Sequence, residues 1–274
     1  AFSTDFLVFN MNPRNPNLEK SPWKYDWFTN LNFRRAVAYA MDKDTMIDQI
    51  YDGFGKKQWS PISKPNKIFL NENVKKYHFN LDKAREELKK GGFSWDDKGH
   101  LIDKDGRRVE FNMTTNSGNK RREMIMNIIA SNLRKLSMKV NLNLIEFSKI
   151  VNQITSEYDF DIILIGLTGG VEPHSSSNVW KSSGQLHMWN PKQEEPDNEW
   201  EARIDKLFEK GASSTSTEER IKYYNEFQEI IANKVPVIYT VTPNNLYAVS
   251  NRLHNTESSA YGGILWNIHE LYLD

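Results

Sequence analysis

The middle of the sequence alternates between two apolar patterns, and this alternation limits the fold more than any other feature. Apolar side chains at every second position are typical of half-buried strands, whereas a repeat near 3.6 residues indicates a helix with one buried face. The patterns follow one another over residues 109–115 (strand), 120–137 (helix), 140–144 (strand), 150–154 (helix) and 160–166 (strand). This order builds an α/β sheet, so we predict an α/β fold.

A turn before the first of these strands indicates that the sheet is mixed. Leu101 and Ile102 precede Asp103-Lys104-Asp105-Gly106, where the glycine is typical of a hairpin. The apolar run from Phe6 to Asn10 suits a strand buried on both faces. Helical spacing and capping residues predict helices at 33–41, 42–51, 80–90, 200–208 and 216–231, and a strand at 237–241. We therefore expect a mixed sheet flanked by helices.

The composition argues against several classes of protein. Lys plus Arg and Asp plus Glu are both 36, so the chain has no net charge that would gather nucleic acid. No segment approaches the roughly 20 apolar residues that a membrane span requires. Cysteine is absent, which excludes a thiol nucleophile and a thiolate metal site. With 38% hydrophobic residues, the chain can bury a substantial core.

Several motifs occur in the order and spacing of one protein family. They are Asn32-Phe33-Arg34-Arg35-Ala36-Val37-Ala38-Tyr39-Ala40-Met41-Asp42, Asn80-Leu81-Asp82-Lys83-Ala84, the Asp105-Gly106 turn and Tyr158-Asp159-Phe160-Asp161-Ile162. In this series the sequence resembles the bacterial extracellular solute-binding proteins of family 5, which serve ABC importers of peptides, nickel and related solutes. The resemblance implies a type II (cluster C) periplasmic-binding-protein-like lobe. It implies a ligand-binding C-terminal lobe at residues 1–245 and a segment, 246–274, that returns to an N-terminal lobe outside this chain.

The resemblance also sets expectations for the ligand, the partner and the location. Such a protein captures a small solute, most typically an oligopeptide or dipeptide, and delivers it to the permease subunits of an ABC transporter. The full-length protein would be periplasmic or held at the cell surface as a membrane-anchored lipoprotein. We further expect a monomer that uses no cofactor and catalyses no reaction.

Loops beyond the carboxyl ends of strands are the natural place for a ligand in an open α/β sheet. The loops after Asn10, after Thr115 and after Gly166 should therefore line the cleft. The candidate ligand-binding residues are Asn10, Trp59, Asn116, Ser117, Gly169, Gly170, Glu172, Asn178 and Trp180. Each also has a structural interpretation, because asparagines form turns and caps, tryptophans pack in cores, and the loop after Gly166 resembles an ordinary surface loop.

One stretch departs from the pattern of the peptide-binding branch of the family. In that branch an aspartate shortly after the strand equivalent to 161–166 receives the N-terminal ammonium of the peptide. Here Thr168-Gly169-Gly170-Val171-Glu172 occupies the stretch, and Glu172 is the only carboxylate nearby. The departure argues against the usual recognition of a peptide N-terminus.

Two other functions stay open from the residues alone. Glu172 and His174 could form the acid–base pair of a hydrolase, although no third residue is placed to orient the histidine. A sensory ectodomain that binds a small ligand is the second alternative. No two of the six histidines stand four residues apart, the spacing that puts two metal ligands on one helix face, so no metal site is predicted.

Overall fold

Strands and helices alternate along the chain in the computed structural model, which describes residues 2–260 and 262–274. The strands are β1 (Ser3–Phe9), β2 (Gly55–Lys57), β3 (Ser94–Trp95), β4 (Leu101–Ile102), β5 (Glu110–Asn116), β6 (Lys139–Ile145), β7 (Ile162–Thr168), β8 (Val237–Tyr239), β9 (Val241–Pro243), β10 (Leu253–His254) and β11 (Tyr272–Leu273). The helices are α1 (Trp23–Thr29), α2 (Leu31–Tyr39), α3 (Lys43–Tyr51), α4 (Leu81–Lys90), α5 (Lys120–Lys135), α6 (Phe147–Asn152), α7 (Ser177–Trp180), α8 (Glu199–Ser213) and α9 (Thr217–Lys234). The predicted α/β class is confirmed.

The central sheet has five strands in the order β6-β5-β7-β1-β8. β5 runs parallel to β6 and β7, whereas β1 runs antiparallel to both of its neighbours, β7 and β8. The sheet is therefore mixed, as predicted, but for a different reason. The predicted hairpin turn forms a single bridge, between Ile102 of β4 and Arg108, which precedes β5, and β4 pairs instead with β3 outside the central sheet.

The direction of β1 decides which segments share an edge of the sheet. Ser3 pairs with Thr168, and Phe9 pairs with Ile162. The start of β1 therefore lies beside the end of β7, and the end of β5 reaches the same side because β5 and β7 are parallel. We call this side, marked by Ser3, Asn116 and Thr168, the carboxyl edge.

Side chains that alternate along β1 supply the cores on the two faces of the sheet. On one face, the Phe9 ring lies 6.2 Å from that of Phe28 and 6.4 Å from that of Phe33, and both of these rings also contact Phe111. On the other face, the Phe6 ring lies 5.7 Å from that of Tyr239. Both faces of β1 are consequently buried, as its continuous apolar run predicts.

Helix starts follow the predicted capping residues. Asp42 accepts a hydrogen bond from the Thr45 amide at 3.0 Å, and Asn80 accepts one from the Lys83 amide at 2.9 Å. Ser216 caps α9 through the Glu219 amide at 3.3 Å, but the Glu219 carboxylate bonds to the hydroxyl of Ser214 instead of completing a capping box. Helix α1, which is rich in aromatic residues, was not predicted.

A buried ion pair fixes the carboxyl edge on the face that carries α5. Asp5, only 4% exposed, accepts a hydrogen bond from Nε of Arg122 at 2.8 Å and one from Nε of Arg121 at 3.2 Å. Arg122 also donates to Oδ1 of Asn116 at 2.7 Å. A Cβ at Gly166 would stand 2.7 Å from Nη2 of Arg122, so a glycine is required there. This cluster joins β1, β5 and β7 to the first turn of α5.

Replacing Asp5 by Asn should destabilise the fold by about 3 kcal/mol, because it leaves Arg122 partly buried without its counter-charge. Urea unfolding followed by circular dichroism measures the change. The matched variant Asp105→Asn, which removes an exposed ion pair with Arg107, should shift the unfolding transition far less. Equal shifts for the two variants would contradict the structural role assigned to Asp5.

Candidate functional site

A cavity of about 250 Å³ opens at the carboxyl edge, on the face of β1 opposite the Asp5 ion pair. Its lining residues are Phe2, Thr4, Phe6, Pro61, Leu167, Thr168, Gly169, Ser175, Ser176, Asn178, Val179, Trp180, Leu186, Met188, Trp189, Val237 and Tyr239. None of these described residues carries a charge. The carboxyl-edge cavity therefore suits an uncharged, largely apolar group with a few hydrogen-bonding atoms.

Three of the predicted site residues line this cavity: Gly169, Asn178 and Trp180. The Trp180 ring lies 5.9 Å from that of Trp189 and 5.1 Å from that of Phe227, so one side of Trp180 belongs to the core. Asn178 accepts a hydrogen bond from the Gln185 amide at 2.9 Å, which shapes the loop around the cavity. Trp180 and Asn178 thus hold the wall in place as well as lining it.

Trp59 lies at a second cavity, of about 80 Å³, on the other side of the segment 60–62. The second cavity is lined by Lys57, Gln58, Trp59, Ser60, Ile62, Lys64, Leu70, Asn71, Glu72, Val74, Lys76 and Thr242. Nζ of Lys43 stands 3.6 Å from the centre of a Trp59 ring and also donates to the Gln58 carbonyl at 2.5 Å. Burial lowers the pKa of Lys43 well below its ordinary value. This cation–π contact fixes the orientation of Trp59.

Asn116, Ser117 and Gly170 lie near the carboxyl edge, but they line neither of these two cavities. The Asn116 side chain accepts from Arg122, and the Ser117 amide donates to the Ile145 carbonyl at 2.8 Å. The Gly170 carbonyl faces the side-chain amide of Asn66 at 3.4 Å. Ligand contact by these residues stays a prediction.

The prediction that Asn10 shares a cleft with these loops is wrong. Because β1 is antiparallel to β7, Asn10 lies at the edge of the sheet opposite Thr168. Its side-chain amide donates to the carbonyls of Tyr158 at 2.8 Å and Phe160 at 2.7 Å, so it ties down the turn before β7. Asn10 is also only 2% exposed, so its side chain is buried in this turn.

Glu172 is already paired with another residue of this chain, Arg220. Its carboxylate forms an ion pair with Arg220 and accepts a hydrogen bond from the backbone amide of His174 at 3.3 Å. The hydrogen bond from Arg220 to Glu172 raises the pKa of Arg220. Among the described residues no hydrogen bond joins the side chains of Glu172 and His174, and neither residue lines the carboxyl-edge cavity. The side chains of Glu172 and His174 are therefore not arranged as an acid–base pair.

A buried polar network that sequence reasoning missed supports the loop around the cavity. Oε1 of Glu201 accepts hydrogen bonds from Nε2 of His187 at 2.9 Å, from Nε1 of Trp189 at 2.7 Å and from Nε2 of Gln193 at 3.2 Å. Nδ1 of His187 faces the Val179 carbonyl at 3.1 Å. Acceptors thus face both ring nitrogens, so the imidazole ring is held from two sides. The partners lie in an aperiodic loop, so no sequence pattern pointed to them.

No group of three or more His, Cys, Asp or Glu side chains that could hold a metal ion is found within residues 2–260 and 262–274. Among the same residues, no helix is both long and apolar enough to cross a bilayer.

A sequence model of the bacterial extracellular solute-binding proteins, family 5 (middle region), matches residues 1–187, which is more than half of the chain. The chain belongs to this family. The resemblance read from the Asn32–Asp42 helix and the later motifs is therefore confirmed.

Individual relatives agree with the family assignment. A probable ABC transporter-binding protein of Deinococcus radiodurans is 32% identical over 201 residues, which is 69% of this chain and 33% of the relative. The oligopeptide-binding protein AppA of Bacillus subtilis is 27% identical over 237 residues, 84% of this chain and 42% of AppA. The chain thus spans about a third to two fifths of these relatives.

The structure of Bacillus subtilis AppA in complex with a nonapeptide superposes on the whole of this chain with a TM-score of 0.78. The identity is 26%, and the match covers 51% of the AppA chain. The fold is accordingly that of a lobe of a type II periplasmic binding protein, as the family motifs implied.

The stability of this lobe should depend on pH through the ionisation of Glu201. Burial alone would raise the pKa of Glu201, but the hydrogen bonds from His187, Trp189 and Gln193 outweigh burial and lower it. Because the pKa is lower in the folded protein than in the unfolded chain, ionised Glu201 stabilises the fold above the unfolded pKa. This contribution is lost as the pH falls through the folded pKa.

Glu201→Gln should lower the free energy of unfolding by about 2 kcal/mol at pH 7, since charge-assisted hydrogen bonds are weakened. The difference from the unaltered protein should shrink progressively as the pH is lowered and Glu201 itself becomes protonated. Urea unfolding at pH 7 and over a series of acidic pH values measures this, with the exposed Glu199→Gln on the same helix as the control. A difference that stays constant over the whole series would rule out the assigned ionisation.

Proposed function

We propose that this chain is the ligand-binding lobe of the substrate-binding component of an ABC importer, and that its solute is a short peptide. Family membership supports the importer role, and the uncharged carboxyl-edge cavity supports a solute with an apolar group. The cavity lies where open α/β sheets bind ligands. The protein would hand its solute to the permease without covalent chemistry.

The hydrolase alternative draws no support from the site. The Glu172 carboxylate is paired with Arg220. Among the described residues, its hydrogen bond with His174 comes from the backbone amide and not from the imidazole ring. General acid–base catalysis needs the two side chains within reach of one reacting atom. A sensory ectodomain would bind the same solute, but deletion of its gene would abolish a transcriptional response and leave uptake of the solute intact.

We also propose that residues 246–274 pack against a further lobe of the full-length protein. Several large apolar side chains in this segment are at least half exposed, among them Leu246, Leu265, Ile268 and Leu273, at 65%, 55%, 65% and 67%. The relatives are more than twice as long as the part of them that this chain matches. We further propose a periplasmic or cell-surface location, with a lipid anchor on the full-length protein, and a monomer.

Limited proteolysis tests the packing of this segment. In the isolated chain, trypsin should cleave rapidly after Arg252, because this residue is exposed. In the full-length protein the same bond should be cleaved at least about tenfold more slowly, while cleavage after the exposed Lys98 should proceed equally in both. Equal cleavage after Arg252 in both proteins would exclude the proposed contact.

Filling the carboxyl-edge cavity should weaken peptide binding. Ser176 lines the cavity and makes no side-chain capping bond, so Ser176→Leu adds volume without removing a contact of the cap. We expect the affinity of the full-length protein for short apolar peptides, measured by isothermal titration calorimetry, to fall at least about tenfold.

The control for this variant is Ser156→Leu, an equal change at an exposed serine away from the cavity. Mass spectrometry of the titrated peptide tests for breakdown at the same time. Unchanged affinity in Ser176→Leu would move the binding site elsewhere, and hydrolysis of the peptide would favour the enzyme.

A further inference from the structure

One stretch of the loop after β7 supplies part of the cavity wall although its middle packs little against the core. Residues 168–176, which we call the strap, contribute lining residues at both ends: Thr168, Gly169, Ser175 and Ser176. Between these ends, Gly170 has no side chain and Val171 is 40% exposed. A segment with few buried contacts keeps one conformation only where other groups hold it.

A buried asparagine fastens the middle of the strap. Asn66 is 4% exposed, and its side-chain amide donates a hydrogen bond to the Val171 carbonyl at 2.7 Å. The side-chain oxygen of Asn66 accepts one from the Phe69 amide at 3.2 Å. Because both of its polar atoms are engaged, Asn66 joins the strap to the loop between β2 and α4 in a fixed orientation.

An ion pair fastens the strap to α9. The Glu172 carboxylate pairs with Arg220, which lies in the first turn of that helix. The Arg220 guanidinium also lies 5.5 Å from the centre of the Phe69 ring, and its Nε donates to the Gly211 carbonyl at 3.1 Å. An exposed ion pair usually contributes little, because two free side chains must be ordered. Here these two contacts already orient the guanidinium, so pairing with Glu172 orders little more.

A displacement of Glu172 would move the cavity wall. Its carboxylate accepts a hydrogen bond from the His174 amide at 3.3 Å, at the start of the helical turn Pro173–Ser176. Its carbonyl accepts one from the Ser175 hydroxyl at 2.6 Å and one from the Ser175 amide at 3.2 Å. Ser175 lines the cavity, whereas Glu172 does not. A ligand in the cavity would therefore sense the ion pair through Ser175.

We propose that the ion pair between Glu172 and Arg220 is a positioning pair, which sets the affinity of the carboxyl-edge cavity by holding the strap and does not contact the solute. This assignment rests on the proposed function, because the affinity in question is that for a short peptide. The alternative is that Glu172 binds the N-terminal ammonium of the peptide directly. Arg220 would then compete with the ligand for the carboxylate, and removing Arg220 would strengthen binding.

A double-mutant cycle in the full-length protein separates these two roles. The variants are Glu172→Gln, Arg220→Gln and the two combined, titrated calorimetrically with Ala-Leu-Ala and with its N-acetylated form. Each single variant should weaken binding of both peptides by about fivefold, since the wall is released in either case. The combined variant should bind no more weakly than the weaker of the two single variants, because the same interaction is broken only once.

Amide hydrogen exchange of the ligand-free proteins provides a readout that needs no peptide. Exchange in residues 170–176 should be faster in both single variants, while circular dichroism checks that each variant remains folded. The matched control is Glu226→Gln, which breaks an ion pair between α9 and Arg203 of α8. The Glu226 side chain is 41% exposed and that of Glu172 is 42% exposed, so the two carboxylates are comparably solvated. The control should change neither the exchange of the strap nor the affinity for either peptide.

Four results of the titration would overturn the positioning role and leave the proposed function standing. They are tighter binding by Arg220→Gln, a loss in Glu172→Gln that is confined to the peptide with a free amine, losses that multiply in the combined variant, and unchanged affinity in both single variants. Strap exchange that is no faster in the single variants than in the control would do the same. Failure of the unaltered protein to bind either peptide would overturn the proposed function together with this assignment.

Discussion

The carboxyl-edge cavity depends on β1, which pairs antiparallel with β7 on one side and with β8 on the other. Its backbone groups lie in the interior, where unpaired amides would be strongly unfavourable, so the sheet is continuous only with this strand in place. Because β1 opposes the direction of β5 and β7, its first residues reach the carboxyl edge. Phe2, Thr4 and Phe6 thereby become part of the cavity wall. The site is assembled from segments far apart in the sequence.

The alternation of side chains along β1 also separates charge from the cavity. Asp5 points to the face that carries Arg121 and Arg122, while its neighbours Thr4 and Phe6 point to the cavity. A charged ligand group in the cavity would lose hydration and find no counter-ion, which is strongly unfavourable. Charge and the cavity are thus kept on opposite faces of β1.

Sequence patterns predicted the elements of the fold better than their arrangement. The helical period located α2, α5, α8 and α9, since each buries one face against the sheet or a neighbouring helix. Helix α1 was missed because its aromatic residues form no clear stripe. The apolar run of β1 predicted a buried strand, but such a run carries no information about the direction of its partners. Asn10 was assigned to the cleft for that reason.

Gly169, Asn178 and Trp180 were predicted by the rule that ligands lie beyond strand ends, and they line the carboxyl-edge cavity. Their contact with a ligand stays a prediction. Phe6 and Tyr239 carry no such signal, because they are ordinary strand residues whose position depends on pairing across the sheet, and Phe2 directly precedes β1.

Several hydrogen bonds hold the loop after β7 in place, and they affect how the cavity would bind a ligand. Asn66 holds the Val171 carbonyl at 2.7 Å, and Glu201 anchors the far end of the loop through His187 and Trp189. A wall fixed in this way is formed before the ligand arrives, so little conformational entropy is lost on binding. The cavity nevertheless opens at the carboxyl edge, and a bound group keeps one side exposed. Under the proposed function, covering that side requires a second surface, and the interactions of the ligand with that surface would favour the closed state over the open one.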